Sequence, residues 1–168
     1  MNEAEASALF SIWKASIEDL DLLMKIRMET LDEVFYLEYP EDQKMADQLQ
    51  AENRKYFQKH LVDNSMVFLI GTVNKKPAAA GAILFHEEMP SPDNMNGSCG
   101  YLMNIFTRKP YRKSGFGRKI VKELIQEARN RNVDKVYLET SDPGRPLYVS
   151  MGFEDYPDMM ILKGSDSE

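Results

Sequence analysis

The sequence contains one cysteine, no long apolar run and no excess of positive charge. Cys99 has no second cysteine to pair with, which excludes an intrachain disulfide. No segment approaches the roughly 20 consecutive apolar residues of a membrane-spanning helix, so we expect no membrane association. Lys and Arg number 21 against 27 Asp and Glu, for a net charge of −6. Because nucleic-acid binding calls for a strongly basic face, we also expect no nucleic-acid partner.

Metal-binding patterns and targeting signals are missing as well. Cys99 has no metal-ligand spacing, and His86, although next to Glu87 and Glu88, lacks the spaced partners of a metal site, so we expect no metal. The acidic start "MNEAEASALF" lacks the basic region and cleavage site of a secretory signal, so we expect a cytoplasmic protein. The length suits a single domain, residues 1–168.

The succession of helical and strand-like segments predicts a mixed α/β domain. Residues 8–16 suit a first strand, and Ser16 with Asp19 forms a capping pattern at the start of a helix. Apolar residues then recur at spacings of three and four, which indicates an amphipathic helix. The further predicted elements are a helix within 41–61, a hairpin of 66–73 and 78–85, a strand at 99–107, a helix after 117, a strand at 133–141, a short helix at 144–151 and a closing strand at 159–162.

A basic, glycine-containing segment precedes the helix after residue 117. Positive charge is unfavourable at a helix N-terminus, which normally prefers acidic side chains. Gly115 and Gly117, however, let the backbone come close to a ligand and leave the first N–H groups of the helix pointing at an anion. Arg and Lys side chains would add to the binding of a pyrophosphate. A solvated helix start, with glycines serving only the turn, is the alternative from charge alone.

This segment and a second one resemble a known family. Residues 112–117, "RKSGFG", resemble motif A of the GNAT superfamily of acetyl-CoA-dependent N-acetyltransferases, whose signature is Arg/Gln-x-x-Gly-x-Gly/Ala. The preceding "IFTRKPYR" is similar to the family's "LYVxPxYR", and "PLYVSMGFE" is similar to "xLYxxxGFx". The resemblance implies a mostly antiparallel central sheet of about six or seven strands, splayed near the cofactor and flanked by about four helices.

The resemblance also implies how acetyl-CoA, the acyl donor, would bind. Backbone groups at the splayed strand edge would hydrogen-bond the pantetheine arm, and the amides of the glycine-containing turn would hold the pyrophosphate. Ser141, which stands where the family often has Asn, would donate or accept a hydrogen bond to the cofactor. The implied cofactor-binding residues besides Ser141 are Ile105, Phe106, Thr107, Arg112, Lys113, Ser114, Gly115, Phe116, Gly117 and Arg118.

The chemistry of acetyl transfer suggests roles for three further side chains. By the resemblance, Tyr148 would stand near the CoA sulfur as general acid; otherwise it is an aromatic ring packed on the glycine-containing turn. An amine acceptor must lose a proton at neutral pH, and Glu88 is the candidate base, with Glu87 and Glu139 as alternatives. For each of these carboxylates the residue type alone favours a solvated or structural role over catalysis. Asn104 would orient the substrate or fill a strand irregularity.

The acceptor would be a small primary amine or a peptide or protein amine. Between the two predicted N-terminal helices, "DEVFYLEYPED" mixes aromatic and acidic residues, and we expect Tyr36, Glu38 and Glu41 to recognise a cationic acceptor there. A loop that packs its aromatics under solvated acids is the alternative. The alternative functions are a non-catalytic acyl-CoA sensor and a transferase that uses another acyl-CoA. The retained Tyr148 favours an enzyme, and a homodimer is compatible with the sequence.

Overall fold

The computed structural model describes residues 9–35 and 43–162, which form a five-stranded sheet between helices. The strand order is β1-β2-β3-β4-β5. Each strand from β1 to β4 is antiparallel to its neighbour, whereas β5 is parallel to β4. The strands are β1 (Phe10–Lys14), β2 (Met66–Val73), β3 (Lys76–Glu87), β4 (Ser98–Thr107) and β5 (Lys135–Leu138).

Helices cover both faces of the sheet. The four α-helices are α1 (Leu20–Phe35), α2 (Gln43–Val62), α3 (Phe116–Asn130) and α4 (Arg145–Val149). One core cluster joins α1 and α2 to the sheet and contains Leu23, Phe57 and Phe68, each nearly inaccessible to solvent. The other lies under α3 and contains Ile120 and Leu124. No helix in the described residues is long and apolar enough to cross a membrane.

Local sequence signals account for two of the chain reversals. The backbone N–H of Ser16 donates to Asp19 Oδ2 at 2.8 Å, so the predicted capping pattern begins the turn that leads into α1. Asn74 and Lys75 both have positive φ angles, 49° and 63°, between β2 and β3. Two such residues form the tight turn whose twist matches a hairpin, which explains the short connection.

A β-bulge interrupts β4 opposite β3. Ala80 pairs with Phe106 and Ala82 with Met103, so two residues of β4, Asn104 and Ile105, oppose Gly81 alone. Asn104 has a φ of 54°, a left-handed conformation that asparagine tolerates better than most residues. A Cβ at Gly81 would lie 2.5 Å from the Ile105 side chain and 2.7 Å from Ile120. Glycine is therefore needed where α3 packs over the bulge.

Strand β4 loses its second neighbour at the bulge. Its pairing with β5 runs from Cys99 to Leu102 and stops there. From Met103 to Thr107 the side of β4 that faces away from β3 has no strand partner in the described residues. We call this stretch the open edge, and it is the splay that the family resemblance implies.

The closing strand predicted at the C-terminal end is wrong. Residues 159–162 form no strand, and Met160 and Leu162 are each 98% exposed. The described sheet therefore has five strands, fewer than the expected six or seven, although its mixed, mostly antiparallel character and the four helices are confirmed. The prediction failed because four consecutive apolar residues are compatible with a strand but carry no information about a partner.

Candidate active site

Six consecutive backbone amides at the start of α3 have no acceptor in the part of the chain that the structure describes. Within residues 9–35 and 43–162, no oxygen accepts a hydrogen bond from the N–H groups of Lys113 to Arg118. The first N–H to be used is that of Lys119, which donates to Gly115 O at 3.1 Å. We call these six N–H groups the amide cradle. Their dipoles and the helix N-terminus favour an anion at this position.

Backbone geometry keeps the cradle open. Lys113 and Gly115 have positive φ angles of 65° and 73°, which turn successive N–H groups towards one side. A Cβ built on Gly115 would meet no atom within 4 Å, so the space in front of it is free of other protein atoms that the structure describes. A Cβ on Gly117 would lie 3.4 Å from Thr107 Oγ1 and 3.8 Å from Leu147. Gly117 thus brings the end of β4, the start of α3 and helix α4 together.

Two arginines of the basic segment are neutralised by α1. Arg108 donates through Nε to Glu29 Oε1 at 2.9 Å and through Nη2 to Glu29 Oε2 at 2.6 Å. Arg112 forms an ion pair with Glu33, one helical turn later, and donates through Nε to Thr107 O at 3.0 Å. These contacts hold the cradle against α1. Arg112 therefore presents less free charge to a ligand than its place in the motif suggests.

The open edge presents backbone groups on the side away from β3. Arg108 N donates to Ala78 O at 2.9 Å, so the alternation along a strand turns the N–H of Phe106 towards β3 as well. By the same alternation, the amides of Ile105 and Thr107 face the open edge. Phe106 is buried, and its amide is less suited to a ligand than those of its two neighbours.

Tyr148 lies in α4, within the core cluster under α3. It is 8% exposed, and its ring meets Phe153 edge-on at 5.8 Å between centroids. Burial raises the pKa of Tyr148 to about 12. The phenol is therefore protonated at neutral pH and is a hydrogen-bond donor rather than a base.

The sequence profile of the acetyltransferase (GNAT) family matches residues 27–153. The chain belongs to this family. The match includes the amide cradle, the open edge of β4 and Tyr148, and it begins within α1. The GNAT resemblance drawn from the two sequence motifs is thereby confirmed.

Individual relatives agree with this assignment. A glucosamine 6-phosphate N-acetyltransferase of Trypanosoma brucei brucei is 27% identical over 63 residues, which are 38% of this chain and 43% of that protein. The chain thus matches less than half the length of this curated relative. A predicted acetyltransferase of Clostridium acetobutylicum, whose structure was determined with acetyl-CoA, has a TM-score of 0.80 at 29% identity and is covered over 96% of its length by 92% of this chain.

A second solved structure supports the fold. The GCN5-related N-acetyltransferase of Ralstonia eutropha JMP134 has a TM-score of 0.76 at 22% identity, with 92% of this chain and 98% of that chain covered. At this level of identity the likeness concerns the fold alone. The five described strands and four helices are therefore a GNAT fold.

The remaining implied cofactor residues have mixed surroundings in this GNAT chain. The Phe116 ring is 1% exposed and stacks on Phe10 at 4.0 Å, so only its amide faces the cradle. Arg118 donates to Ser150 Oγ and links α3 to the end of α4. The backbone carbonyl of Ser141 accepts hydrogen bonds from the N–H groups of Gly144 and Arg145 in the turn that leads into α4. Its exposed side chain is left for other partners.

Glu88 is tied into a contact network away from the open edge. It accepts from Lys135 Nζ at 2.7 Å and from Asn94 Nδ2 at 3.0 Å. These hydrogen bonds, chiefly that of Lys135, lower the pKa of Glu88 to about 2. A carboxylate so stabilised is a poor proton acceptor, so the geometry argues against Glu88 as the base. The described residues contain no cluster of three metal-ligating side chains.

The network of Glu88 makes stability depend on pH. Because its folded-state pKa is lowered, its stabilising contribution is complete above the ordinary value of about 4.5 and is lost as the pH falls towards 2. We expect Glu88→Gln to be less stable than the wild type near pH 7, with the difference narrowing below pH 5. Urea unfolding at both ends of this range measures it. A difference in the free energy of unfolding that stays constant with pH, or the same narrowing in the exposed control Glu52→Gln, would contradict this role of Glu88.

Polar side chains line the face of the sheet below α1 and α2. Tyr101 donates to Glu139 Oε1 at 3.1 Å at the point where β5 ends. Asn104, on the bulge, accepts from Arg27 Nη1 at 3.0 Å. Tyr36, Glu38 and Glu41, the expected acceptor-binding residues, lie outside the described residues.

Sequence reasoning missed the roles of Arg27, Glu29 and Glu33 on α1. Arg27 carried a detectable signal, because it lies three residues after Met24 and four before Leu31, which are both buried. A charged residue on the apolar side of a helix calls for a partner. The ion pairs of Glu29 and Glu33 join residues 79 positions apart and left no local pattern.

A surface cavity elsewhere in the molecule is the competing ligand site. It has a volume of about 540 Å³ and lies between β1 and α3. Phe10, Ile12 and Lys122 are among the residues that line it. None of the lining residues belongs to the amide cradle or to the open edge, so a ligand there would be held by different groups.

Proposed function

We propose that the chain is an N-acetyltransferase that transfers the acetyl group of acetyl-CoA directly to an amine. The amide cradle carries this proposal, because six N–H groups without an acceptor among the described residues, beside basic side chains, suit a pyrophosphate better than any neutral ligand. The C. acetobutylicum neighbour, whose structure contains acetyl-CoA, supports the choice of donor. In this arrangement the pantetheine arm would follow the open edge from the cradle towards the bulge.

The open edge would also activate the thioester. When the amine nitrogen attacks the carbonyl carbon, the carbonyl oxygen gains negative charge and needs a fixed donor. The amide of Ile105, which faces the open edge at the bulge, is the proposed donor, and that of Thr107 would hold the pantetheine. The C–N bond then forms, the C–S bond breaks and the electron pair of that bond leaves with the sulfur.

Tyr148 would stabilise the departing thiolate. A thiolate has an ordinary pKa of about 8.5, so complete proton transfer from a phenol of pKa near 12 is uphill in the ground state. We therefore propose that Tyr148 acts mainly as a hydrogen-bond donor to the sulfur. The proton that neutralises the thiolate would ultimately come from the amine.

The amine must be neutral before it attacks. For an amine of pKa about 10.4, deprotonation at pH 7 costs roughly 4.6 kcal/mol, which a nearby base would reduce. Glu139 is the described carboxylate we favour for this role, because it directly follows β5 and accepts a hydrogen bond from Tyr101 on the face of the sheet below α1 and α2, where we place the acceptor. The hydrogen bond from Arg27 to Asn104 would fix the bulge next to the place where we expect the acceptor to bind.

A panel of amines assayed for CoA thiol release tests the proposed function. The panel contains polyamines, aminosugars, amino acids and a lysine peptide, and it includes glucosamine 6-phosphate because the trypanosomal relative is named for that acceptor. Turnover of at least one amine, with stoichiometric acetylated product by mass spectrometry, is the expected result. Tight acetyl-CoA binding without turnover of any amine would support an acyl-CoA sensor instead.

A further inference from the structure

Arg27 carries a positive charge that no described side chain neutralises. Its Nε donates to Asn53 Oδ1 and its Nη1 to Asn104 Oδ1, both at 3.0 Å. Both acceptors are uncharged amides. Among residues 9–35 and 43–162, no carboxylate lies within ion-pair distance of this guanidinium, whereas Arg108 and Arg112 nearby each have one.

The surroundings of Arg27 make this charge costly. The side chain is partly buried between α1, α2 and β4, and loss of water around it lowers its pKa. A partly buried charge without a counterion is expensive, and proteins normally pair such groups. The two amide oxygens accept from two N–H groups of Arg27. A guanidinium has five N–H donors, so three of them are not used by these two hydrogen bonds.

A second donor at the same place also lacks a partner. Asn104 Nδ2 is buried, and the structure shows no acceptor for it in the part of the chain it describes. Its orientation follows from the bond that Oδ1 accepts from Arg27. Asn104 is the bulge residue at the head of the open edge, so its free Nδ2 and the remaining N–H groups of Arg27 lie together on the side where we place the acceptor.

We propose that the acceptor amine also carries an anionic group, a phosphate or a carboxylate, and that Arg27 pairs with this group. Planar N–H groups of a guanidinium match the oxygens of either anion. The pair would supply a counterion that Arg27 lacks among the described residues, and it would set the distance between the anion and the reacting amine. This inference rests on the proposed acetyltransferase function. The sequence led us to expect an acceptor recognised by its positive charge, whereas here the recognised group is negative.

Matched acceptors test the inference through activity. Glucosamine 6-phosphate is compared with glucosamine, and L-phenylalanine with its amide. Rates are compared at equal concentrations of the neutral amine, because loss of the anion also changes the pKa of the amine. We expect kcat/KM to favour the anionic member of the active pair by at least about tenfold. Arg27→Gln should remove this preference by raising the KM of the anionic acceptor, while the KM of acetyl-CoA stays constant, and Arg27→Lys should restore part of it.

Control variants separate recognition from structure. Arg54→Gln makes the same chemical change at an exposed arginine of α2 and should leave the preference intact. Neutral acceptors used as well as anionic ones by the wild type would overturn the inference without affecting the proposed function. An equal loss of activity by Arg27→Gln on both members of a pair would overturn it as well.

Binding of the anion is also measured without turnover. Inorganic phosphate and acetate are titrated separately into protein saturated with CoA, and the Nε–H signal of Arg27 is followed by NMR. A saturable shift with phosphate or with acetate is expected, and it identifies which anion is preferred. If neither anion moves this signal at millimolar concentrations, the inference is wrong, even where the amine panel confirms acetyl transfer.

Discussion

Replacement of Gly115 by glutamate is expected to abolish acetyl-CoA binding. Gly115 is the N-cap of α3 and has a φ of 73°, and a Cβ added to it would meet no described atom within 4 Å beyond its chain neighbours. A glutamate there would place a carboxylate where the cradle receives the pyrophosphate and would strain the backbone. At an acetyl-CoA concentration of 100 times the Kd, the wild-type protein should gain about 2.7 kcal/mol of stability. This corresponds to a rise in Tm of roughly 5–10 °C for a chain of this size.

The comparison with Gly115→Asn isolates the charge. Asparagine tolerates the left-handed conformation and is neutral, so this variant should fold and retain part of the Tm rise. Gly115→Glu should show no rise at the same acetyl-CoA concentration, although its circular dichroism stays that of the wild type. An undiminished rise in Gly115→Glu would mean that acetyl-CoA binds away from the amide cradle.

Replacement of Tyr148 by phenylalanine should reduce the rate of acetyl transfer about 100-fold or more. The change removes the hydroxyl and keeps the buried ring, so α4 and its contact with Phe153 should persist. Loss of a positioned donor to the leaving thiolate acts on the chemical step alone. Single-turnover measurement of acetylated product reports this step directly, so slow product release cannot mask the effect.

The same substitution at Tyr156 is the control for Tyr148. Tyr156 is 53% exposed and its ring packs near Tyr137 of β5, so Tyr156→Phe should retain the wild-type rate. The Kd of acetyl-CoA should change little in either variant. A single-turnover rate of Tyr148→Phe equal to that of the wild type would leave Tyr148 with a packing role only.

Local patterns in the sequence predicted most elements of the fold. The period of apolar residues predicted α1 and α3 because burial on one face is a repeating requirement along a helix. Turn residues predicted the β2–β3 hairpin because only particular side chains accept positive φ angles. The amide cradle was also predictable, since glycine and basic residues report the local backbone and its charge.

Contacts between distant segments were not predictable from such patterns. Glu29 and Glu33 appear in the sequence as ordinary exposed acids of a helix, yet they pair with Arg108 and Arg112 across the fold. Glu88 was a candidate base because of its place at a strand end, but its role depends on Lys135, 47 residues later. Only the three-dimensional arrangement decides which of several carboxylates is paired.

An amide NMR titration of the assigned protein with acetyl-CoA tests whether the cofactor binds at the amide cradle and the open edge. We expect the largest shifts on the six amides of the cradle, Lys113 to Arg118, and on Ile105 and Thr107 at the open edge. Phe10, Ile12 and Lys122, which line the cavity between β1 and α3, should shift less. Largest shifts at that cavity, or none at the cradle with saturating acetyl-CoA, would show that acetyl-CoA does not bind at the cradle.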